Sequence, residues 1–243
     1  MLKRYIPQGL KLGATDYPFS EALPMIFGKR RTNRGFEGLA LSHDQKTLYL
    51  VLQSPLANPQ RKTGNRSRNT RVLVFDIPSE TVVAEYAYRF EFAKDFDAAR
   101  KLRPNQMKLS AVAYVNRRTL LILERTNTVA KIYSVDLSKA TNILGSKWDD
   151  PKTSPSFEAL AENELGGLKA LPKTLVLDLS RFKGLPEKLE GLAILDRNTI
   201  AVTNDNDFDM PRRRFDGAGN SIGPRTNSQI IVISLSQPLP GPP

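Results

Sequence analysis

Four residues and one short run hold the chemistry this sequence offers. Glu37, Glu124, Arg125 and Glu190 are the candidate catalytic groups, and Asn204-Asp205-Asn206-Asp207-Phe208-Asp209 packs three carboxylates and two amides into six residues. Two carboxylates with different proton affinities can act as general acid and base. Glu124-Arg125 sets a guanidinium beside a carboxylate. That pair could orient Arg125 towards a phosphate, or Arg125 could tie neighbouring structural units together through Glu37 or Glu190. The acidic run suits a hard cation such as Ca2+, with Glu190, Asn204, Asp205, Asn206 and Asp207 as ligands. It lacks the Gly and the terminal Glu of an EF-hand loop. The competing reading is an Asx-rich turn whose side chains bond the local backbone.

Other chemistries are excluded or left without support. The chain has no cysteine, so thiolate nucleophiles, thiolate metal sites and disulfides are ruled out. Its one histidine, His43, lies in the turn Ser42-His43-Asp44-Gln45-Lys46, at the far end of the strands that present the acidic residues. Ser54 and Ser110 therefore have no histidine to activate them. No Gly-rich phosphate loop precedes a helix.

The candidate residues fall at matching points of a repeat. Lys-Leu-Glu-Gly-Leu-Ala-Ile-Leu at 188–195 returns in altered form as Gly-Phe-Glu-Gly-Leu-Ala-Leu-Ser at 35–42 and Lys-Leu-Ser-Ala-Val-Ala-Tyr-Val at 108–115. After a short polar turn each copy continues into a second apolar run: 47–53, 119–125 and 199–205. Further strand-like runs follow at 71–77 and 81–89, at 130–137 and 173–179, and at 229–235. Val, Ile, Leu, Tyr and Thr dominate these runs, and Asp, Asn, Gly and Pro bound them. The fold class is all-β. Three repeats of four antiparallel strands, the last short by one, read as a β-propeller with about three blades, a partial ring.

In such a unit the connection into the first strand and the connection after the second emerge on one face. Glu37 and Glu190 sit at entrances. Gln53-Ser54-Pro55, Glu124-Arg125 and Asn204–Asp207 sit at exits, so all are expected on one rim. Residues 92–102 and 157–165 are expected as short surface helices within insertions. Residues 1–34 form an N-terminal segment, which could be the remnant of a preceding blade. Residues 35–235 form the propeller domain, and 236–243 a Pro-rich tail expected to be extended or frayed. Three blades do not close a ring, so either further blades precede Met1 or self-association of two copies completes it.

The net charge is +11, gathered in bursts at 29–34, 61–71, 100–108 and 212–214. Those bursts attract anions, or simply form a solvated basic surface. No basic helix or aromatic series marks a specific nucleic-acid groove. No apolar run approaches the roughly 18 residues of a membrane span. The basic start lacks the apolar core of a signal peptide.

Asn33-Arg34-Gly35-Phe36-Glu37-Gly38-Leu39-Ala40, Gln53-Ser54-Pro55-Leu56, Leu123-Glu124-Arg125, Lys188-Leu189-Glu190-Gly191-Leu192-Ala193 and Asn204-Asp205-Asn206-Asp207-Phe208 occur in the order seen in the phytase-like propeller family, "esterase-like activity of phytase". The chain resembles that family from about residue 23 to 235. The resemblance implies a β-propeller, commonly in exported or periplasmic bacterial proteins, with phosphoesterase or esterase activity on a small anionic substrate. Two functions follow as expectations. One is metal-assisted hydrolysis of phosphate esters at the rim. The other is a non-catalytic propeller, or an inactive fragment, in which the same carboxylates are structural ties.

Overall fold

The computed structural model describes residues 2–14, 17–96, 101–161, 165, 167–207, 214–222 and 227–241. Two short strands, β1 (Arg4–Pro7) and β2 (Phe19–Leu23), pair in parallel at the start. The first large sheet runs β3 (Phe36–Leu41), β4 (Thr47–Leu52), β5 (Asn69–Asp76) and β6 (Thr81–Arg89), each antiparallel to the next. A short helix, α1 (Arg61–Arg66), interrupts the β4–β5 connection, and a single turn, α2 (Ala93–Phe96), follows β6. The second sheet repeats the plan with β7 (Lys108–Asn116), β8 (Thr119–Arg125), β9 (Ala130–Asp136) and β10 (Lys173–Asp178). The third has β11 (Leu189–Asp196) and β12 (Thr199–Asn204), then a small hairpin, β13 (Arg214–Phe215) with β14 (Ser221–Ile222), then β15 (Ile230–Ser234). Among the described residues this sheet has no fourth strand.

The turns between first and second strands show how local chemistry sets the hairpins. Asn116 Oδ1 accepts from Arg118 N at 2.9 Å, and Asp196 Oδ1 from Asn198 N at 2.7 Å. Both are Asx turns, in which a short acceptor mimics a backbone carbonyl.

The sheets stack through apolar faces. Ala40, Tyr49, Val51, Val72 and Val74 of the first sheet meet Leu109, Val112, Leu120, Ile122 and Val135 of the second. The opposite face of the second sheet, with Ala111, Ala113, Leu121, Leu123 and Ile132, meets Leu189, Ile200, Val202 and Ile233 of the third. Strand β8 is thus buried on both sides, which explains its unbroken Leu-Leu-Ile-Leu run where a half-wet strand would alternate. The first strands of neighbouring sheets approach closely. A Cβ on Gly38 would lie 3.0 Å from the Ala111 backbone and 2.5 Å from Val51 Cγ2, so only glycine fits there. The stack does not close into a ring among the described residues.

The N-terminal segment acts as a cover over the outer face of the first sheet. Leu23, Ile26 and Phe27 pack on Leu52, Leu56 and Leu73, and Tyr5 meets Phe75 at 5.0 Å between ring centroids. The long β9–β10 insertion straps the edge strand β6. Ile143 N donates to Glu85 O at 2.8 Å and Leu171 N to Ala87 O at 2.8 Å, which satisfies an edge that would otherwise be open to pairing.

Several expectations change. The 92–102 helix is one turn of α-helix plus a 3-10 turn at Pro104–Gln106, with 97–100 outside the described residues. The 157–165 helix is a 3-10 turn at Phe157–Ala159, with 162–164 outside the described residues. Arg71, grouped with a solvated basic burst, is fully buried. The tail is docked, not frayed, through Leu239: it is buried, and its N–H donates to Arg197 O at 2.6 Å. Among the described residues no helix is long and apolar enough to cross a membrane.

Candidate functional site

A β-bulge occurs at the same place in all three sheets, and it presents the candidate residues. Phe36 opposes Leu52 and Gly38 opposes Val51, leaving Glu37 as the extra residue. Leu109 opposes Glu124 and Ala111 opposes Leu123, leaving Ser110. Leu189 opposes Asn204 and Gly191 opposes Thr203, leaving Glu190. A bulge turns its extra residue out of the ladder's alternation. Glu37, Ser110 and Glu190 are repeat equivalents, so the device sets one polar side chain at the entrance of each first strand.

The exits of the second strands adjoin these bulges. Leu109 N donates to Gln53 O at 3.0 Å, joining the first sheet to the second, and Lys188 N donates to Asn127 O at 2.7 Å, joining the second to the third. Arg34, Glu37, Arg125, Glu190 and Asp205 gather at these junctions within one another's fields, as a polar rim of the stacked sheets.

Arg125 is its hub. The side chain is 1% exposed; Nε donates to Ser110 Oγ at 2.8 Å, Nη1 to Thr126 O at 3.0 Å, and Nη2 to Glu190 Oε1. Burial lowers the guanidinium's pKa, against the pull of Glu190. Arg34 Nη1 donates to Ser54 Oγ at 2.9 Å nearby. Burial lowers its pKa too, opposed by Glu37 and Glu190.

Glu124 does not belong to this rim. Adjacent strand residues point to opposite faces, so its side chain leaves Arg125 and enters the core between the first and second sheets. It is fully buried there, accepting from Tyr88 Oη at 2.6 Å, Glu91 N at 2.7 Å and Lys173 Nζ at 2.8 Å. Burial raises its pKa, and the Lys173 ammonium partly offsets the rise. The Glu124-Arg125 ion pair considered from sequence is accordingly replaced by two separate networks.

Lys108 and Arg34 lie beside these groups but are not among the candidate residues named from the sequence. Lys108 is the repeat equivalent of Lys188, a signal that was available. Its amine donates to Asn127 Oδ1 at 3.3 Å. Burial, then Arg125 and Arg34, push its pKa down to about 8. Lys188 pairs with Asp207 and Arg125 with Glu190, whereas among the described residues Arg34 and Lys108 form no salt bridge. Glu37 is exposed and accepts from Gly35 N at 3.2 Å.

The oxygen-rich run is largely engaged by the protein. Asn204 Oδ1 accepts from Gln229 N at 2.7 Å and Nδ2 donates to Asn227 O at 3.2 Å. Asp205 Oδ1 accepts from Asp207 N at 2.8 Å, an Asx turn. Asn206 is partnered as well. Glu190 and Asp207 are each paired with a cation, Arg125 and Lys188. Among the described residues no group of three or more His, Cys, Asp or Glu side chains is gathered closely enough to hold a metal. Phe208, Asp209, Arg212 and Arg213 lie outside the described residues. His43 sits at the opposite end of the hairpin, edge-on to Tyr114 at 5.0 Å.

Two four-stranded antiparallel sheets and a third of three strands among the described residues, with a polar rim at their junctions, define an all-β protein. The profile described as "Phytase-like: Esterase-like activity of phytase" matches residues 3–208, and the chain belongs to that family. It is also 30% identical over 106 residues to an "Uncharacterized secreted protein" of Arthroderma benhamiae, a match covering 42% of this chain and 20% of that protein. No solved structure matches it.

Proposed function

We propose that this chain hydrolyses phosphate esters at the rim, and that its three sheets are blades of a β-propeller, spanning 35–235, with β3, β7 and β11 along the channel. One observation carries the reading. Arg125 and Lys188 are committed to carboxylates, while Arg34 and Lys108 have none within salt-bridge distance, and Arg34 lies in the field of Glu37. Two uncommitted cations beside an exposed carboxylate suit an anionic ester. Membership of an esterase-like family supports the reaction class. The secreted relative supports an exported location.

Arg34 and Lys108 would hold the phosphoryl oxygens, where negative charge is stabilised during reaction. Glu37 would take a proton from a water whose oxygen bonds to phosphorus as the ester P–O bond breaks. The leaving oxygen takes its proton from solvent at the open rim. Glu190 acts through Arg125, as a positioning residue. No step is routed through a cation.

The test is turnover of p-nitrophenyl phosphate beside p-nitrophenyl acetate. Glu37→Gln should lower kcat on the phosphate by about 10²–10⁴-fold, the range for losing a general base. Equal turnover in Glu37→Gln would sink the assignment.

One observation favours binding without turnover. Glu190, Asp207 and Asn204 serve as ties, leaving Glu37 as the exposed carboxylate among the three bulge positions. That reading predicts phosphate binding with no hydrolysis of any ester.

A further inference from the structure

The segment that covers the first sheet carries a buried cation without a counter-ion. Arg31 is 8% exposed, and its Nη1 is buried with no hydrogen-bond partner among the described residues. The turn Arg31-Thr32-Asn33-Arg34 folds a second guanidinium against it. Arg34 N donates to Arg31 O at 3.1 Å, Asn33 takes a left-handed φ of 55°, and Arg31 and Arg34 form an antiparallel bridge. Residues directly opposite in such a bridge lie side by side, where like charges repel.

The β4–β5 connection adds a third. Ala57 N donates to Lys29 O at 2.8 Å, which sets that connection beside the turn. It carries Ser54, whose Oγ accepts from Arg34 Nη1 at 2.9 Å, and the exposed Arg61. Burial, then the charges of Arg34 and Arg61, lower the Arg31 pKa to about 10, so the group is still charged at pH 7. Among the described residues none of the three arginines forms a salt bridge. A buried charge is ordinarily paired or neutral, and Arg31 is neither.

We propose that Arg31, Arg34 and Arg61 bind a small free oxyanion, inorganic phosphate or sulfate, which ties the N-terminal cover to the β4–β5 connection. The occupant is small because little of Arg31 is open to solvent. It is strongly anionic because it stands in for the carboxylates that these guanidiniums lack. A tetrahedral dianion meets both conditions and accepts from several guanidinium N–H groups at once. Its role is structural: it neutralises Arg31 where the cover meets the first sheet's connections. The inference does not rest on turnover at the rim, although Arg34 is common to both clusters.

Calorimetric melting and isothermal titration with inorganic phosphate and with sulfate test this, at constant ionic strength set by chloride. Constant ionic strength removes the general screening that any salt gives a chain of charge +11. The parent's melting temperature should rise by about 3–5 °C for each tenfold excess of the ion over its Kd. Arg31→Met removes the charge and keeps most of the bulk. It should melt at or above the parent in chloride alone and below it with the ion present, and the number of ions bound should fall by one. A purely packing role for Arg31 would lower the melting temperature equally in both buffers. Arg61→Ala, at an exposed position, should leave melting in chloride unchanged and weaken binding about 10-fold. Lys108→Met should keep this ion, which separates it from phosphate held at the rim. No rise in the parent, the same rise in Arg31→Met as in the parent, or binding lost with Lys108→Met but kept with Arg31→Met would overturn the proposal. Should Arg31→Met fail to fold, Arg61→Ala binding as tightly as the parent would overturn it.

Discussion

Arg125 does two jobs at the residue scale: it holds the second sheet to the third, and its pairing with Glu190 leaves Arg34 and Lys108 as the rim's uncommitted cations. Glu190→Gln should cost about 2 kcal/mol in urea unfolding. That lies below the 3–5 kcal/mol of a fully buried pair, because Glu190 is about a third exposed while Arg125 is not. Lys108 makes a pH prediction. With its pKa near 8, its charge is present at pH 7 and largely gone by pH 9, so phosphate should bind more weakly as pH rises through 8. Lys108→Met should flatten that profile, as read by isothermal titration with inorganic phosphate. Glu37 and Glu190 stand out in the sequence because they recur at one place in the repeated segments, and Arg125 because it ends an apolar strand. Glu124 lies away from Arg125 because strand geometry sends sequence neighbours to opposite faces. Lys108 and Arg34 were submerged in basic bursts that look like solvated loop.

Elements position these side chains through the repeated bulge. Nothing in the residue types at 37, 110 and 190 announces a bulge; only the register shows it. Gly38, next to it, was visible as a repeated small residue, and Gly38→Ala should destabilise by ~1–3 kcal/mol because its methyl would press on the β7 backbone. The strap over β6 is held by a buried cluster that the sequence did not reveal, since its members lie far apart in the chain. Arg71 donates to Glu85 and Trp148 O, and to Glu158 from Nε at 3.3 Å and Nη2 at 3.1 Å. Arg71→Leu would leave two buried carboxylates unpaired, with a loss of about 3–5 kcal/mol and earlier proteolysis within 141–160. Burial, with Asp149 adding to it, raises the Glu85 pKa to about 8 despite Arg71. The folded state thus favours the protonated acid. Its contribution is complete below about pH 4.5 and is lost as pH rises through about 8, so Glu85→Gln should remove part of the alkaline decline in melting temperature.

At the scale of the whole molecule, three stacked sheets generate one rim from residues more than 160 positions apart, such as Arg34 and Asp205. The order of strands and the short third sheet were readable from the repeated segments at 35–42, 108–115 and 188–195, because alternation and turn chemistry are local signals. The fate of residues 1–34 was not. Their role as a cover depends on Phe27 and Ile26 meeting Leu73 across the sheet, a long-range contact with no periodic signature. Phe27→Ala should cost about 3–5 kcal/mol for that reason. The central claim is that the uncommitted cations and Glu37 make the rim a phosphate-ester site. Its most direct test is single-turnover hydrolysis of p-nitrophenyl phosphate by the parent chain, Glu37→Gln and Arg34→Ala, each first shown to be folded by circular dichroism. The parent should form product, the chemical step should collapse in Glu37→Gln, and binding should weaken in Arg34→Ala. No product from a folded parent chain, or an unchanged rate in both variants, would contradict it.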